Sequence, residues 1–591
     1  MLFPMYTVAA ERLLEMKSLE THEKLKARGD VVVFDDGMGN AGFVSHQWIA
    51  KHHPDPDFKQ MRVLQDALKH LLTSRGTVWL DFVTETFVPS AKVISCQDFQ
   101  TKPLFIWYDY FSVPQLERRE GFATDDEDGS NQGKAINSIP AYVGKCRYFF
   151  ALCPTIDCPL QGGVLNALTW GRRGWCRVER ASRELSEHNT WILIQGSDSL
   201  QLVGTVQSFV TGSVGEGEFT VESDRSKLAP VMETVVKRKL KLSLQARDFP
   251  SYRRHLNLQT VHLRGLDVEP LEDLVPNEPD GPNTAGADVV AHFLHQNGFR
   301  GAVQKDVAGW WPLHYAALSG KVKLIEGLLQ QRANPNSRTS KDEPTLGFPP
   351  LVSALDLAIF YKHNDAAKLL IAAQAQLEGG ISPAMLFASQ ANSAEGIRLL
   401  CDNGSEAILR NAVGLTSLEA AASYGARAAM EELVRNAQPG LLELSGALEA
   451  AMQHRGGSAE MVEFLVGMKA DVDFQYTLRY DYVQFGRLRF LAKALQHRFG
   501  RASMLSEQAY HIHGLTPLMA ALRSGQYEGA AALIAAGARL DLKNSRGFTA
   551  ADFARGQSIP EFLQRGLEGN PSECHRVSSL AHPDGYVEVP F

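Results

Sequence analysis

Apolar residues run along this chain in two rhythms. In the first 200 residues they come as short, nearly unbroken blocks: 42–48 (GFVSHQW), 104–108 (LFIWY), 148–152 (YFFAL) and 190–194 (TWILI). A short apolar block closed by a turn reads as a strand buried on both faces, the kind found in parallel sheets with helices on each side. Between the blocks, apolar positions recur at helical spacing. Met61, Leu64, Leu68, Leu71 and Leu72 follow Asp55-Pro56, a predicted N-cap and first helical position. Further helices are predicted over 136–143, 175–185 and 222–245, the last with a basic end at Lys237, Arg238, Lys239 and Lys241. The alternation of strand and helix predicts an α/β unit with a doubly wound parallel sheet. Before it, Leu13, Leu14, Leu19 and Leu25 predict a helical segment over 5–28. The stretch 31–34 is strand-like. The GMGNAG that follows is formally GxGxxG, but FVS comes next where a dinucleotide site needs a helix, so a hairpin turn is expected. Residues 73–103 read as an insertion with mixed strand signals, and 121–133 (GFATDDEDGSNQG) as an acidic solvated loop.

The second rhythm begins after 264–286, a stretch rich in Pro, Gly and acid that reads as a connector. WPLHYAALSG (311–320), SALDLAIFYK (353–362), SPAMLFASQA (382–391), TSLEAAASYG (416–425), TPLMAALRSG (516–525) and TAADFARG (549–556) align with one another, and GALEAAMQHRGG (446–457) is a weaker copy. Thr516 and Thr549 are 33 residues apart. The T-P-L-H-x-A pattern at this period resembles the ankyrin repeat. Thr516 is placed to cap a first helix with Pro517 at its first position, Ala520 and Ala521 to let helices pack closely, Leu533-Ile534 to face the next repeat, and Gly537 to end the second helix. His314 is expected to bond within the motif. An array of this kind binds protein partners on a concave face of loop tips and first helices. Residues 474–513 interrupt it. There, Leu488, Leu491, Leu495 and Phe499 share one face, with Arg487, Lys493, His497 and Arg498 around the rest. Burial of that stripe against the solenoid is the favoured reading; a helix for an anionic surface or a calmodulin-like partner is the alternative.

Composition narrows the function classes. The chain has 591 residues and a net charge of −7, with no basic stripe, which argues against nucleic acid. No apolar run approaches the roughly 20 residues that cross a bilayer. The first residues lack the basic leader of a secretory signal. Seven scattered cysteines fit a reducing, cytoplasmic setting. Cys146, Cys153, Cys158 and Cys176 include no CxxC pair, and His52, His53, Asp55 and Asp57 read as a capping loop, so no metal site is expected.

The candidate chemistry gathers where the strands should end, because ligands of open α/β sheets bind outside the carboxyl ends of the strands. Asp109 ends one block and Ser45, His46 and Trp48 another. Glu179 lies one turn into the helix that begins at Trp175. Ser45 and His46 do not make a hydrolase dyad, since neighbours on a strand point to opposite faces. The order FVSHQW, IWYDYFSVPQ, AINSIPAYVGKCRYFFALCP and RRGWCRVERASREL resembles the TIR domain over roughly 40–195, and IWYDYFSVPQ with RRGWCRVE resembles the fungal HET domain, a TIR relative. The resemblance implies a flavodoxin-like sheet and a unit that often self-associates. Some TIR domains cleave NAD at the nicotinamide–ribose bond. For them the resemblance implies Glu179, in WCRVE, as the essential carboxylate, Asp109 in support, and Ser45, His46, Trp48 and Trp175 at the pocket. A carboxylate there would stabilise an oxocarbenium-like centre. The bland alternative pairs Glu179 with Arg172, Arg173 or Arg177 and leaves Asp109 capping a turn.

The expected division is 1–30 helical segment, 31–263 TIR/HET-like α/β domain, 264–286 linker, 287–570 ankyrin-repeat domain and 571–591 tail. The favoured function is an intracellular interaction and signalling module: the array holds a protein partner and the TIR-like domain acts as effector or self-association unit. The alternative is a TIR-type NAD glycohydrolase regulated by the array, with NAD as substrate and no cofactor.

Overall fold

A computed structural model of the protein describes residues 1–50, 53–115, 130–158, 163–271, 274–275, 289–477, 484–500 and 502–580. Residues 121–129 of the predicted acidic loop, 272–273 and 276–286 of the connector, 581–591 of the tail and His52 lie outside them.

The first half is built on a nine-stranded mixed sheet of order β2-β1-β6-β3-β7-β10-β11-β4-β5. The strands are β1 (Tyr6–Ala9), β2 (Val31–Val33), β3 (Asn40–Ser45), β4 (Thr77–Leu80), β5 (Ile94–Ser95), β6 (Leu104–Trp107), β7 (Tyr148–Leu152), β10 (Trp191–Ile194) and β11 (Leu200–Val203); β8 (Ile156–Cys158) and β9 (Gly163–Leu165) form a separate hairpin. The four central strands β6-β3-β7-β10 are parallel, with Phe43 opposite Trp107 and Ser45 opposite Ala151. Their apolar runs are unbroken because both faces are covered. Val44, Phe150 and Ile106 pack on one side with Met61, Leu64, Leu68 and Leu71 of the helix Lys59–Thr73. Phe43, Trp107, Phe149 and Ala151 pack on the other with Tyr142, Val143, Trp170 and Cys176. Phe43 stacks on Trp107 at 4.3 Å and on Phe149 at 5.4 Å, contacts that add to burial.

Several expectations are corrected. Residues 5–28 are not wholly helical: Tyr6–Ala9 is β1, paired antiparallel with β2 and β6, so the segment 1–30 belongs to the sheet. GMGNAG is not a hairpin turn, since β2 pairs with β1 and β3 lies between β6 and β7. Its glycines serve close approach. A Cβ on Gly39 would meet the Pro103 carbonyl oxygen at 2.2 Å, and one on Gly42 the Phe150 ring at 2.6 Å. Residues 73–103 supply β4 and β5 to the sheet edge. Asp55 caps its helix from a distance: the helix starts at Lys59, after Phe58 in the left-handed region, and the Asp55 carboxylate accepts from Lys59 N and Met61 N, each at 2.8 Å. The tail contributes a helix, Ser572–Leu580, held by burial of Cys574 and Val577.

The second half stacks helix pairs, from Pro312–Ser319 with Val322–Gln330 to Ala550–Ala554 with Glu561–Leu567. One turn recurs before the first helices. The side-chain oxygens of Asp306, Asn411 and Asn544 accept from Trp310 N, Leu415 N and Phe548 N at 2.9–3.0 Å. Gly309, Gly414 and Gly547, each three residues on, take φ of 83°, 92° and 81°, where a side chain would be strained. Thr416, Thr516 and Thr549 then cap through their hydroxyls. His314 bonds within the motif: Nδ1 accepts from Trp311 N (3.2 Å), so Nε2 donates to Val352 O (3.1 Å).

The α/β unit and the array are in contact along the turns that follow the first helices. Thr260 Oγ1 donates to Ser319 O (3.0 Å), Arg264 to Tyr361 O (2.7 Å) and Gln195 to Gly525 O (3.2 Å). Arg254 meets Glu343 at 2.6 Å with both side chains buried. Val164 and Leu258 join the array's apolar cluster, so the cores do not part cleanly at 264–286. The first helices Pro312–Ser319, Ala354–Phe360 and Ala384–Gln390 are buried at every residue, which closes the part of the concave face they were expected to offer.

The helix Gln484–Arg498 overturns the expected burial of its stripe: Leu488, Leu491, Leu495 and Phe499 are exposed. Its inward side is fixed by polar anchors, chiefly Lys493 Nζ on Glu85 Oε1 at 2.8 Å.

Candidate functional site

β3 and β6 are neighbours and parallel, so their carboxyl ends bring two polar groups together. Beyond β3, His46 turns to the face it shares with Tyr108. His46 Nε2 lies 2.8 Å from Asp109 Oδ1, and Trp48 Nε1 donates to Asp109 Oδ2 at 2.7 Å. The His46 ring stacks on Tyr108 at 4.0 Å, and its Nδ1 is 3.2 Å from both the Gln47 carbonyl and the Tyr108 hydroxyl. Burial alone would push the His46 pKa down; the charge and hydrogen bond of Asp109 outweigh it and raise it. Burial would likewise raise Asp109, but His46 and Trp48 hold it below the usual carboxylate range. Both shifts favour the charged forms of the pair.

Ser45 points the other way, as alternation requires. Its Oγ donates to Glu179 Oε2 at 2.5 Å and accepts from Trp170 Nε1 at 3.0 Å. Glu179 sits in the middle of the helix Gly174–Glu184 and is 9% exposed. The alternative pairing with Arg172, Arg173 or Arg177 does not occur: Arg173 donates to Thr220 Oγ1, and the guanidinia of the helix itself bond mostly to carbonyls. Arg177 donates to Gly171 O and Ser213 O, Arg180 to Phe209 O, and Arg183 to Cys146 O, Arg147 O and Thr190 O. Burial pushes the Glu179 carboxyl up to about 8; the Ser45 hydrogen bond only partly offsets this, and the Asp109 charge adds to it. At neutral pH Glu179 is mostly a neutral acid. Cys176, one turn earlier, donates to His46 O (3.5 Å), and burial raises its thiol well above the ordinary value, so it is no thiolate nucleophile.

The structure therefore brings Ser45 to Glu179 and His46 and Trp48 to Asp109. Trp175 is not with them: it is half-buried on the helix flank, and its indole donates to Asp224 Oδ2 at 3.0 Å. Trp170 and Tyr108 were missed as site residues. The alternation of Ile106 and Tyr108 along the LFIWY block pointed to Tyr108; nothing in LTWGRR singled out Trp170. Two cavities stand out among the described residues, and neither includes Glu179 or Asp109. One of about 250 Å3 lies at the amino-terminal ends of β7 and β10, beside Asp98, Arg147, Arg183 and His188. A smaller one lies between Glu184, Trp191, His255, His262 and Thr345. Among the described residues no group of three or more His, Cys, Asp or Glu side chains is placed to hold a metal ion, and no helix is long and apolar enough to cross a membrane.

The family profile of the ankyrin repeat matches residues 308–340 and 513–545. The second half of this chain carries ankyrin repeats. Each matched stretch contains a Pro-started first helix, Pro312–Ser319 or Pro517–Ser524, and a second helix, Val322–Gln330 or Tyr527–Ala535. Among solved structures, the crystal structure of the human ASB11 ankyrin repeat domain aligns at 23% identity over 44% of this chain and 97% of that one, with a TM-score of 0.32. No curated protein sequence matches the chain. The resemblance of residues 40–195 to TIR and HET domains rests on their motifs alone.

Proposed function

We propose that this chain is a cytoplasmic protein-interaction and signalling module, in which the ankyrin array holds a protein partner and the TIR/HET-like unit acts as effector or self-association unit. The observation that carries the reading is the repeat array, a scaffold whose specificity lies in surface side chains. Because the first helices Pro312–Ser319, Ala354–Phe360 and Ala384–Gln390 are buried, the partner engages the exposed loop tips, such as the turns around Val413 and Lys543. Cross-linking of the partner to the full chain, followed by mapping of the joined residues, tests this. Cross-links at the tips support it; cross-links confined to residues 1–263 refute it.

A second reading, NAD glycohydrolase activity with Glu179 essential and Asp109 supporting, draws on one observation: both carboxyl groups are held at the exits of β3 and β6, Glu179 through Ser45 and Asp109 through His46. NAD is then a substrate, and no cofactor is involved. The neutral state of Glu179 weighs against it, since stabilising a cationic centre needs the carboxylate. Nicotinamide release from NAD is the assay. Loss of one such electrostatic contact costs about 100- to 1,000-fold, so Glu179→Gln should abolish turnover. Equal turnover in both proteins, or none in either, removes this reading.

A further inference from the structure

The helix Gln484–Arg498 is attached to the molecule by one side. Lys493 is paired with Glu85 at 2.8 Å, and the His497 ring lies 4.9 Å from that of Tyr510. The same Glu85 carboxylate accepts from Ser503 Oγ (2.7 Å) and Leu505 N (3.0 Å), so this helix and the next, Met504–His511, share one anchor on the α/β unit. The free side carries Leu488, Leu491, Leu495 and Phe499, which are 67%, 53%, 52% and 79% exposed. At a rise of about 1.5 Å per residue the stripe is about 16 Å long. Single exposed leucines are ordinary; four large apolar residues in one line mark a docking face.

Charge says what kind. From 484 to 506, besides the inward Lys493, the sequence contains Arg487, Arg489, Arg498 and Arg501 and no Asp or Glu, within a chain of net charge −7. We propose that this helix docks the protein on an anionic lipid surface, lying in the interface with Leu488, Leu491, Leu495 and Phe499 in the acyl boundary and the segment's positive charge at the phosphates. The geometry admits a one-sided ligand. A partner that wraps an amphipathic helix would have to break the Lys493–Glu85 pair and displace Met504–His511. A membrane needs only the outer face. Each basic residue near such a surface strengthens the attraction by about fivefold.

The test uses the purified full chain and sedimentation with vesicles of phosphatidylcholine, alone or with about 30 mol % phosphatidylserine. The protein should sediment with the anionic vesicles and stay in solution with the neutral ones. Leu491→Glu with Leu495→Glu should lower the bound-to-free ratio at least about tenfold, with the melting temperature unchanged because both positions are exposed. Phe499→Ser, at the end of the stripe, should weaken binding in the same direction and serves if the double variant misfolds. Failure to sediment with anionic vesicles overturns the proposal, as does equal binding by the variants. So does a light-scattering mass for the wild type twice that of the double variant, which would assign the stripe to a second copy of the chain.

Discussion

Glu179→Gln separates the two states of the buried carboxyl. The side chain is 9% exposed, and burial holds its pKa at about 8 against an ordinary 4.5. The folded protein therefore binds a proton at pH values where the unfolded chain has lost it. Stability from this group is fully present below pH 4.5 and is lost as pH rises toward about 8. A tenfold difference in proton affinity between the folded and unfolded chain is worth about 1.4 kcal/mol, so the loss from pH 5 to pH 8 is on the order of 4 kcal/mol. Glutamine keeps the shape, can still accept from Ser45 Oγ and does not titrate. The variant should gain on the wild type by about that amount across the window. Urea unfolding at several pH values, followed by tryptophan fluorescence, measures it, because Trp48, Trp79, Trp107, Trp170, Trp175 and Trp191 all lie in the α/β unit. Midpoints should diverge with rising pH at a constant m-value. A stability difference that stays flat from pH 5 to 8 would mean that Glu179 is ionised in the fold and would refute the reasoning.

Three other contacts carry expected outcomes of their own. Asp109→Asn removes the charge that raises His46, so the imidazole pKa, read by NMR titration, should fall below its wild-type value; an unchanged value would exclude the ion pair. Glu343→Ala leaves Arg254 buried without its carboxylate and should destabilise the contact between the two halves by about 3–5 kcal/mol, seen as earlier proteolysis between residues 249 and 345; an unchanged digestion pattern would place the pair in solvent. Thr516→Ala removes a helix cap and should cost about 1 kcal/mol in array stability by chemical denaturation, whereas no change would show that the Thr516 hydroxyl does not hold the helix.

The central strands were legible because a strand covered on both faces reads as an unbroken apolar block, and the repeats because each copy reuses one turn and one cap. Asp109, His46 and Trp48 were legible as neighbours once the blocks at 42–48 and 104–108 were taken as parallel. What escaped the sequence was set by rotation and partners. Leucines at helical spacing masked the short β1. The roll of the helix Gly174–Glu184 is fixed by arginines bonded to distant carbonyls, which sends Glu179 to Ser45 and leaves Trp175 on the flank. The roll of Gln484–Arg498 is fixed by Glu85, some 400 residues earlier in the chain, and no local pattern carries that information. Burial of the first helices at every residue depends on what packs around them, which repeat periodicity does not encode.

The protein-binding claim is tested most directly by the affinity of the cross-linked partner, once identified, for three purified full-length proteins: wild type, Val413→Glu with Lys543→Glu, and Glu179→Gln. Both tip positions are exposed, so the double variant should fold normally and lose at least about tenfold in affinity, as interface centres typically do, while Glu179→Gln binds as the wild type does. Unchanged affinity in the tip variant together with loss in Glu179→Gln would contradict the account and place the partner on the α/β unit.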